Sequence, residues 1–343
     1  MTGAPSSGWS SVADHNALVR FVDINLRGAG QVIFQNNPLT GLFFLAAIVW
    51  GAYVGAQLDI AVGAVVALVI ATATAMLLDV DGASLRQGLF GFNGVLVGAA
   101  VPTFLVDTPA MWFLLIVGAA TSTVVMLAVS NVMKTWGAPA LTFPFVLTTW
   151  LLVLAAYSFG QLPIASMGPP ELPHAPAAAD FAKDLTFSWR PFAEASLKGP
   201  AQVFLINNWI SGILVLIGLL VSSIWAGVFA LAGSIVAVVV SLALGASYAS
   251  IEAGLYGFSP VLTAVALGCT FYQPSWRVVL FALLGTVFTV IVQGAMDAAL
   301  APMGIPTFTA PFVVATWLFL LPKAKLQPHA HEPIKNRLFG QDG

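Results

Sequence analysis

Of 343 residues, 59% are apolar and only 8% are Asp, Glu, Lys or Arg, where a soluble domain carries roughly 25% charged residues. The solvent for most of this chain is therefore lipid. A formal net charge of −2 leaves no basic footprint for nucleic acid and no charge run for a strongly acidic or basic partner.

In chain order, residues 1–30 carry Asp14, Arg20, Asp23 and Arg27 where a secretory leader needs an unbroken apolar core, so they read as a cytoplasmic N-terminal segment. Apolar stretches follow near 39–57, 60–78, 88–106, 110–130 and 139–158, then near 205–224, 226–245, 253–271, 277–296 and 306–322. Each approaches the ~20 residues that cross a hydrocarbon core as a helix. Between the two sets, residues 159–198 are rich in Pro and charge and include Met167-Gly168-Pro169-Pro170 and Pro173-His174-Ala175-Pro176, an expected external connector. Residues 323–343 form a polar tail. The expected fold is an all-α integral membrane protein with about ten transmembrane helices.

Alternating these spans from a cytoplasmic N-terminus puts Arg20, Arg27, Arg86, Lys134, Arg277, Lys323, Lys325, Lys335 and Arg337 on the cytoplasmic side. Only Lys183, Arg190 and Lys198 stay outside, which agrees with the positive-inside rule and places both termini in the cytoplasm. Cys269 is the single cysteine, so an intrachain disulfide is impossible.

The chain is duplicated. Gln31-Val32-Ile33-Phe34-Gln35-Asn36-Asn37 recurs as Gln202-Val203-Phe204-Leu205-Ile206-Asn207-Asn208, with Gly41 and Gly212 following. Gly88-Leu89-Phe90-Gly91-Phe92-Asn93-Gly94 returns as Gly254-Leu255-Tyr256-Gly257-Phe258-Ser259-Pro260. Gly137, Pro139, Thr142, Pro144, Phe145, Thr149, Trp150 and Leu151 reappear as Gly304, Pro306, Thr309, Pro311, Phe312, Thr316, Trp317 and Leu318. An odd number of spans per copy makes the second copy enter from the opposite face, so residues 31–158 and 199–322 are expected to be inverted repeats.

A coupled carrier needs an ionisable group inside the membrane, and the spans hold almost none. His15, His174, His329 and His331 fall in a terminus, the connector or the tail. Glu252, matched by Arg86, reads as a charge at a span edge. No cluster of base, nucleophile or metal ligands is present, which argues against catalysis and against a cofactor. What remains is uncharged polarity in matched pairs, Gln31 with Gln202 and Thr142 with Thr309, whose oxygens accept hydrogen bonds from a neutral donor. Pro139, Pro144, Pro306 and Pro311 break helices there, exposing backbone that only protein or a water-filled cavity can satisfy. Phe34, Phe92 and Phe258 flank the polar positions and can shape a flat slot. Asn36-Asn37-Pro38 and Asn207-Asn208 read as helix caps, and Trp50, Trp112, Trp150 and Trp317 as packing or interface residues.

Asn36-Asn37-Pro38-Leu39-Thr40-Gly41, Leu89-Phe90-Gly91-Phe92-Asn93-Gly94, Leu141-Thr142-Phe143-Pro144-Phe145 and Thr309-Ala310-Pro311-Phe312 together resemble the urea transporter family, over about residues 20–322. The resemblance implies re-entrant or half-spanning pore helices and a homotrimer in a membrane, a bacterial inner membrane for a bacterial member. Each protomer would have its own pore between the inverted halves, and urea would diffuse through passively without a coupling ion. Carried over by position, Gln31, Val32, Phe34, Phe92, Leu96 and Thr142 would line that pore from the first half. Gln202, Val203, Leu205, Phe258, Leu262 and Thr309 would line it from the second. Leu205 stands where the first half has Phe34, so one aromatic wall is expected to be aliphatic. The competing expectations are a channel for ammonia or another small neutral amide, and an ion-coupled secondary transporter.

Overall fold

The structure, a computed structural model, describes residues 8–173 and 189–326. The first seven residues, His174 and Lys183 of the expected connector, and His329, His331, Lys335 and Arg337 of the expected tail lie outside the described residues. A short helix α1 (Gly8–His15) leads into α2 (Ala17–Gln31), α3 (Pro38–Val54), α4 (Leu58–Leu77), α5 (Gly82–Arg86), α6 (Phe92–Phe104), α7 (Pro109–Trp136) and α8 (Phe143–Ala155). The same succession of long and short elements then occurs as α9 (Trp189–Gln202), α10 (Trp209–Ser222), α11 (Ile224–Ala243), α12 (Tyr248–Glu252), α13 (Phe258–Val265), α14 (Trp276–Leu300) and α15 (Ala310–Leu320). A π-helical turn, Ala266–Thr270, extends α13.

Among the described residues, four helices are long and apolar enough to cross a membrane: α4, α7, α11 and α14. The other six apolar stretches form shorter helices. With 13 residues in α8 and 11 in α15, these two reach about 20 and 16 Å at ~1.5 Å per residue, well short of a ~30 Å hydrocarbon core. The expected spans ran longer because a hydropathy window averages each helix with the loop before it, Pro139–Thr142 or Pro306–Thr309.

Two helices carry too much polarity to register as spans. Helix α2 lies within the stretch expected as an N-terminal segment, and α9 begins inside the expected connector. Asn16 caps α2 by accepting from the Leu18 and Val19 amides, and Arg27 Nε donates to Asp23 Oδ2 one turn back at 2.7 Å. Arg190 and Glu194 form the corresponding i,i+4 pair on α9 at 2.9 Å. Helix α1 docks beside α2 and α5: Trp9 Nε1 donates to Asp23 Oδ1, and Arg86 pairs with Asp14. The Arg86 hydrogen bond holds the Asp14 carboxyl below its ordinary range.

Helices α2 and α3 cross so closely that a Cβ on Gly41 would land on the Leu26 carbonyl. A Cβ on Gly212 would meet the Leu197 carbonyl where α9 crosses α10. The halves are joined along α3 and α10 by two reciprocal hydrogen bonds. Thr40 Oγ1 donates to the Gly218 carbonyl and Ser211 Oγ to the Ala47 carbonyl, each at 2.7 Å. Both hydroxyls are wholly buried, so neither can turn to water. Large exposed apolar side chains such as Leu77, Phe113, Ile224 and Trp276 make sense in a lipid solvent, where outward apolar surface carries no penalty.

Candidate functional site

Thr142 and Thr309 meet at the centre of the seam between the halves, their Oγ1 atoms 2.6 Å apart. Each occupies the N-cap position of a half-length helix, α8 and α15, without capping it through its side chain. Either hydroxyl can donate to the other, so the pair still offers oxygen lone pairs to a third group. Both threonines are buried, at 3% and 2% exposure.

The backbone leading into this pair is strained in both halves. Leu141 and Phe308, immediately before the threonines, have φ of 54° and 48°, and Phe34 and Leu205 have φ of 61° and 60°. A left-handed conformation costs a residue with a Cβ about 1–2 kcal/mol, and such outliers gather at sites where geometry serves function. Crossed hydrogen bonds help to hold them. Trp150 Nε1 of α8 donates to the Pro306 carbonyl ahead of α15, and Trp317 Nε1 of α15 donates to the Pro139 carbonyl ahead of α8, at 2.9 and 2.8 Å. These two tryptophans are packing residues. Replacing Trp150 with Phe keeps an aromatic side chain but shortens it and orphans the Pro306 carbonyl, lowering stability by at least about 1–3 kcal/mol; thermal unfolding in detergent checks this against Trp50→Phe, which removes the same atoms where Trp50 is 40% exposed.

The two glutamines occupy matched places at the ends of α2 and α9. Gln31 Nε2 donates to the Gln87 carbonyl at 2.9 Å, and Gln202 Nε2 donates to the Ala253 carbonyl at 2.7 Å. Each bond engages the amide nitrogen and leaves the side-chain oxygen as the end suited to an incoming N–H. Asn37 and Asn208 are N-caps, accepting from the Leu39 and Thr40 amides and from the Ser211 amide. Asn36 Oδ1 accepts from Arg27 instead.

Val32, Phe92, Leu96, Val203 and Leu262 belong to the one large buried cluster, and Phe34, Leu205 and Phe258 pack against it. Phe34 crosses between halves: its ring lies edge-on to Phe312 of α15 at 6.0 Å and to Phe271 at 5.7 Å. A second aromatic group joins the halves elsewhere, Phe308 with Phe145 at 5.2 Å and with Phe104 at 5.6 Å. Phe271 and Phe308 escaped the sequence reading, and Phe312 entered it as a repeated position rather than as a pore residue. For Phe308 the available signal was its place just before a repeated threonine, opposite Leu141 in the first half.

Asp297 falls just beyond the expected span 277–296, on the last turns of α14, which continues to Leu300; its side chain is exposed but reaches the buried Gln293. Gln293 Nε2 donates to Asp297 Oδ1 at 2.9 Å and to Thr307 Oγ1 at 2.8 Å. Glu252 is exposed, and its backbone carbonyl accepts from Lys198 Nζ. Among the described residues, no group of three or more His, Cys, Asp or Glu is placed to hold a metal ion.

Helices throughout the described residues, and an uncharged polar pair buried between two similar halves, suit a membrane transport protein. Comparison with known proteins agrees: the urea transporter family model matches residues 22–324. The chain is 30% identical to urea transporter 1 of Ovis aries, covering 95% of this chain and 85% of that protein. It is 29% identical to urea transporter 1 of Rattus norvegicus, covering 90% and 78%. The chain belongs to the urea transporter family.

Proposed function

We propose that this protein carries urea passively through a channel-like pore between its two halves, and the observation that carries the mechanism is the Thr142–Thr309 pair. Urea is planar, uncharged and rich in N–H donors; removing its water without replacement costs several kcal/mol by order of magnitude. The threonine hydroxyls and the side-chain oxygens of Gln31 and Gln202 replace those lost hydrogen bonds. The carbonyl ends of α2 and α9, next to the glutamines, add the negative pole of a helix dipole, which favours N–H groups. Phe34, Phe92 and Phe258, with Val32, Leu96, Val203, Leu205 and Leu262, supply the apolar walls that select by shape.

Residues 31–158 and 199–322 act as inverted repeats, between a cytoplasmic segment, an external connector and a cytoplasmic tail. Supporting this reading, the bonds between halves come in reciprocal pairs, Thr40 with Ser211 and Trp150 with Trp317, the pattern a two-fold relation produces. The functional unit is a homotrimer in a lipid bilayer, the inner membrane of a bacterial cell, with a pore in each protomer. Stopped-flow measurements on proteoliposomes, comparing urea, formamide, ammonia, glycerol and water, test the function. Urea should pass fastest of the solutes, saturating only weakly, and its flux should ignore imposed proton or sodium gradients. Strict dependence on either gradient would replace this reading with an ion-coupled one, and preference for ammonia would replace the permeant.

A further inference from the structure

The matched threonines are held by unlike means. In the first half, Asn93 Oδ1 accepts from the Phe145 amide at 3.1 Å, pinning the start of α8 just after Thr142. The same side chain's Nδ2 contacts Met126 Sδ of α7 at 3.6 Å, so α6, α7 and α8 are tied together at that point. In the second half the position of Asn93 is held by Ser259, whose shorter side chain has a buried hydroxyl without a protein partner. The position of Met126 is held by Gln293, that of Ser130 by Asp297 and that of Ala140 by Thr307. These three polar replacements are the residues that bond one another.

We propose that Asp297, Gln293 and Thr307 form a brace that positions Thr309, and that they are positioning residues for urea passage. The proposal rests on the pore reading above. The chain of causes is short. Asp297 and Gln293 lie one turn apart on α14, so the carboxylate fixes the Gln293 amide by an i,i+4 hydrogen bond. The same amide nitrogen then holds the Thr307 hydroxyl, which is 3% exposed. The Thr307 carbonyl in turn accepts the Ala310 amide at the first turn of α15. Between these two fixed points lie only Phe308, in its left-handed conformation, and Thr309. Without the brace, Phe308 can relax to an ordinary backbone conformation, and that rotation carries the Thr309 hydroxyl away from Thr142. Asp297 stands near the end of the apolar helix α14, and holding a strained loop from that rigid helix gives its carboxylate a role there.

The test uses the full chain in proteoliposomes, with urea and methylurea permeability normalised to reconstituted protein, and hydrogen exchange over residues 304–310. Gln293→Met installs the first half's residue and removes both bonds. It should lower urea permeability about fivefold, lower the urea-to-methylurea ratio, and speed exchange in that loop. Asp297→Ala should behave alike, whereas Asp297→Asn keeps an oxygen acceptor for the Gln293 amide and should retain the wild-type ratio. Thr307→Ala removes only the loop's end of the brace and serves if Gln293→Met does not assemble. An unchanged ratio and unchanged loop exchange in Gln293→Met or Thr307→Ala overturns the brace, as does an Asp297→Asn variant as impaired as Asp297→Ala. Wild-type protein that passes no urea overturns the pore reading separately, and loop exchange then still decides the brace.

Discussion

Thr142→Val and Thr309→Val should each slow urea flux about tenfold, and the double variant about a hundredfold, while stability follows a different order. Valine keeps the volume and branching of threonine, so flux reports the lost acceptor. One hydrogen bond to urea at this pair contributes roughly 1–1.5 kcal/mol, close to one factor of ten. Stability depends on pairing instead. Because the two hydroxyls bond each other at 2.6 Å, either single variant strands a buried hydroxyl, whereas the double variant leaves two apolar groups facing each other. Replacing both partners is nearly neutral, and removing one costs about 1–3 kcal/mol. Thermal unfolding should therefore be lowest in the single variants and recover in the double, as flux falls further. Single variants with wild-type flux would make the hydroxyls structural; a double variant less stable than either single would deny the pairing. Thr142→Ser, which keeps the oxygen, should stay close to wild type in flux.

The threonines were legible in the sequence because duplication marks them twice, and a duplicated polar residue in an apolar stretch needs a reason. Their direct contact was not legible. Residues 167 positions apart reveal nothing of their separation in space until the crossing of α8 and α15 is known. Apolar helices appeared within all ten stretches, yet six of them have only 10–17 residues, since a hydropathy window averages a helix with the loop that feeds it. The opposite error hid α2 and α9. Their charges satisfy each other along one face, Asp23 with Arg27 and Arg190 with Glu194, and an average over residues loses that geometry. Asp297 was passed over because the expected span stopped one residue before it, whereas α14 runs on to Leu300. Left-handed backbone at Leu141, Phe308, Phe34 and Leu205 had no sequence signal, because leucine and phenylalanine do not advertise positive φ as glycine does.

That strain has a structural consequence for the pore. A strained loop keeps its shape only where its surroundings over-determine it, so the helices around the threonines must not shift. Of the glycine positions described, Gly41 and Gly212 at the α2–α3 and α9–α10 crossings leave the least room for a side chain. These crossings set the direction from which Gln31, Phe34, Gln202 and Leu205 reach the centre, since these residues sit at the ends of α2 and α9 or just after them.

Gly41→Ala and Gly212→Ala should accordingly be the most destabilising small changes in the protein. The added methyl would fall on the Leu26 carbonyl in one case and the Leu197 carbonyl in the other, and backbone cannot rotate aside as a side chain can. The helices must separate, at a cost of about 3 kcal/mol, the upper end for overpacking. Separation also shortens the reach of Thr40 and Ser211, whose hydroxyls bridge α3 and α10 from positions adjoining the two glycines, so the damage passes from one crossing to the seam between halves. Gly82→Ala is the control: a Cβ there meets nothing within 4 Å, and alanine is the better helix former by up to about 1 kcal/mol. Purified yield, thermal unfolding in detergent and urea flux per protein separate the outcomes. Gly41→Ala and Gly212→Ala should both lose stability and flux together, and Gly82→Ala neither. Gly41→Ala that remains as stable as Gly82→Ala would mean α2 and α3 can part without consequence, and the tight crossing would no longer explain how α2 aims its terminal residues at the seam.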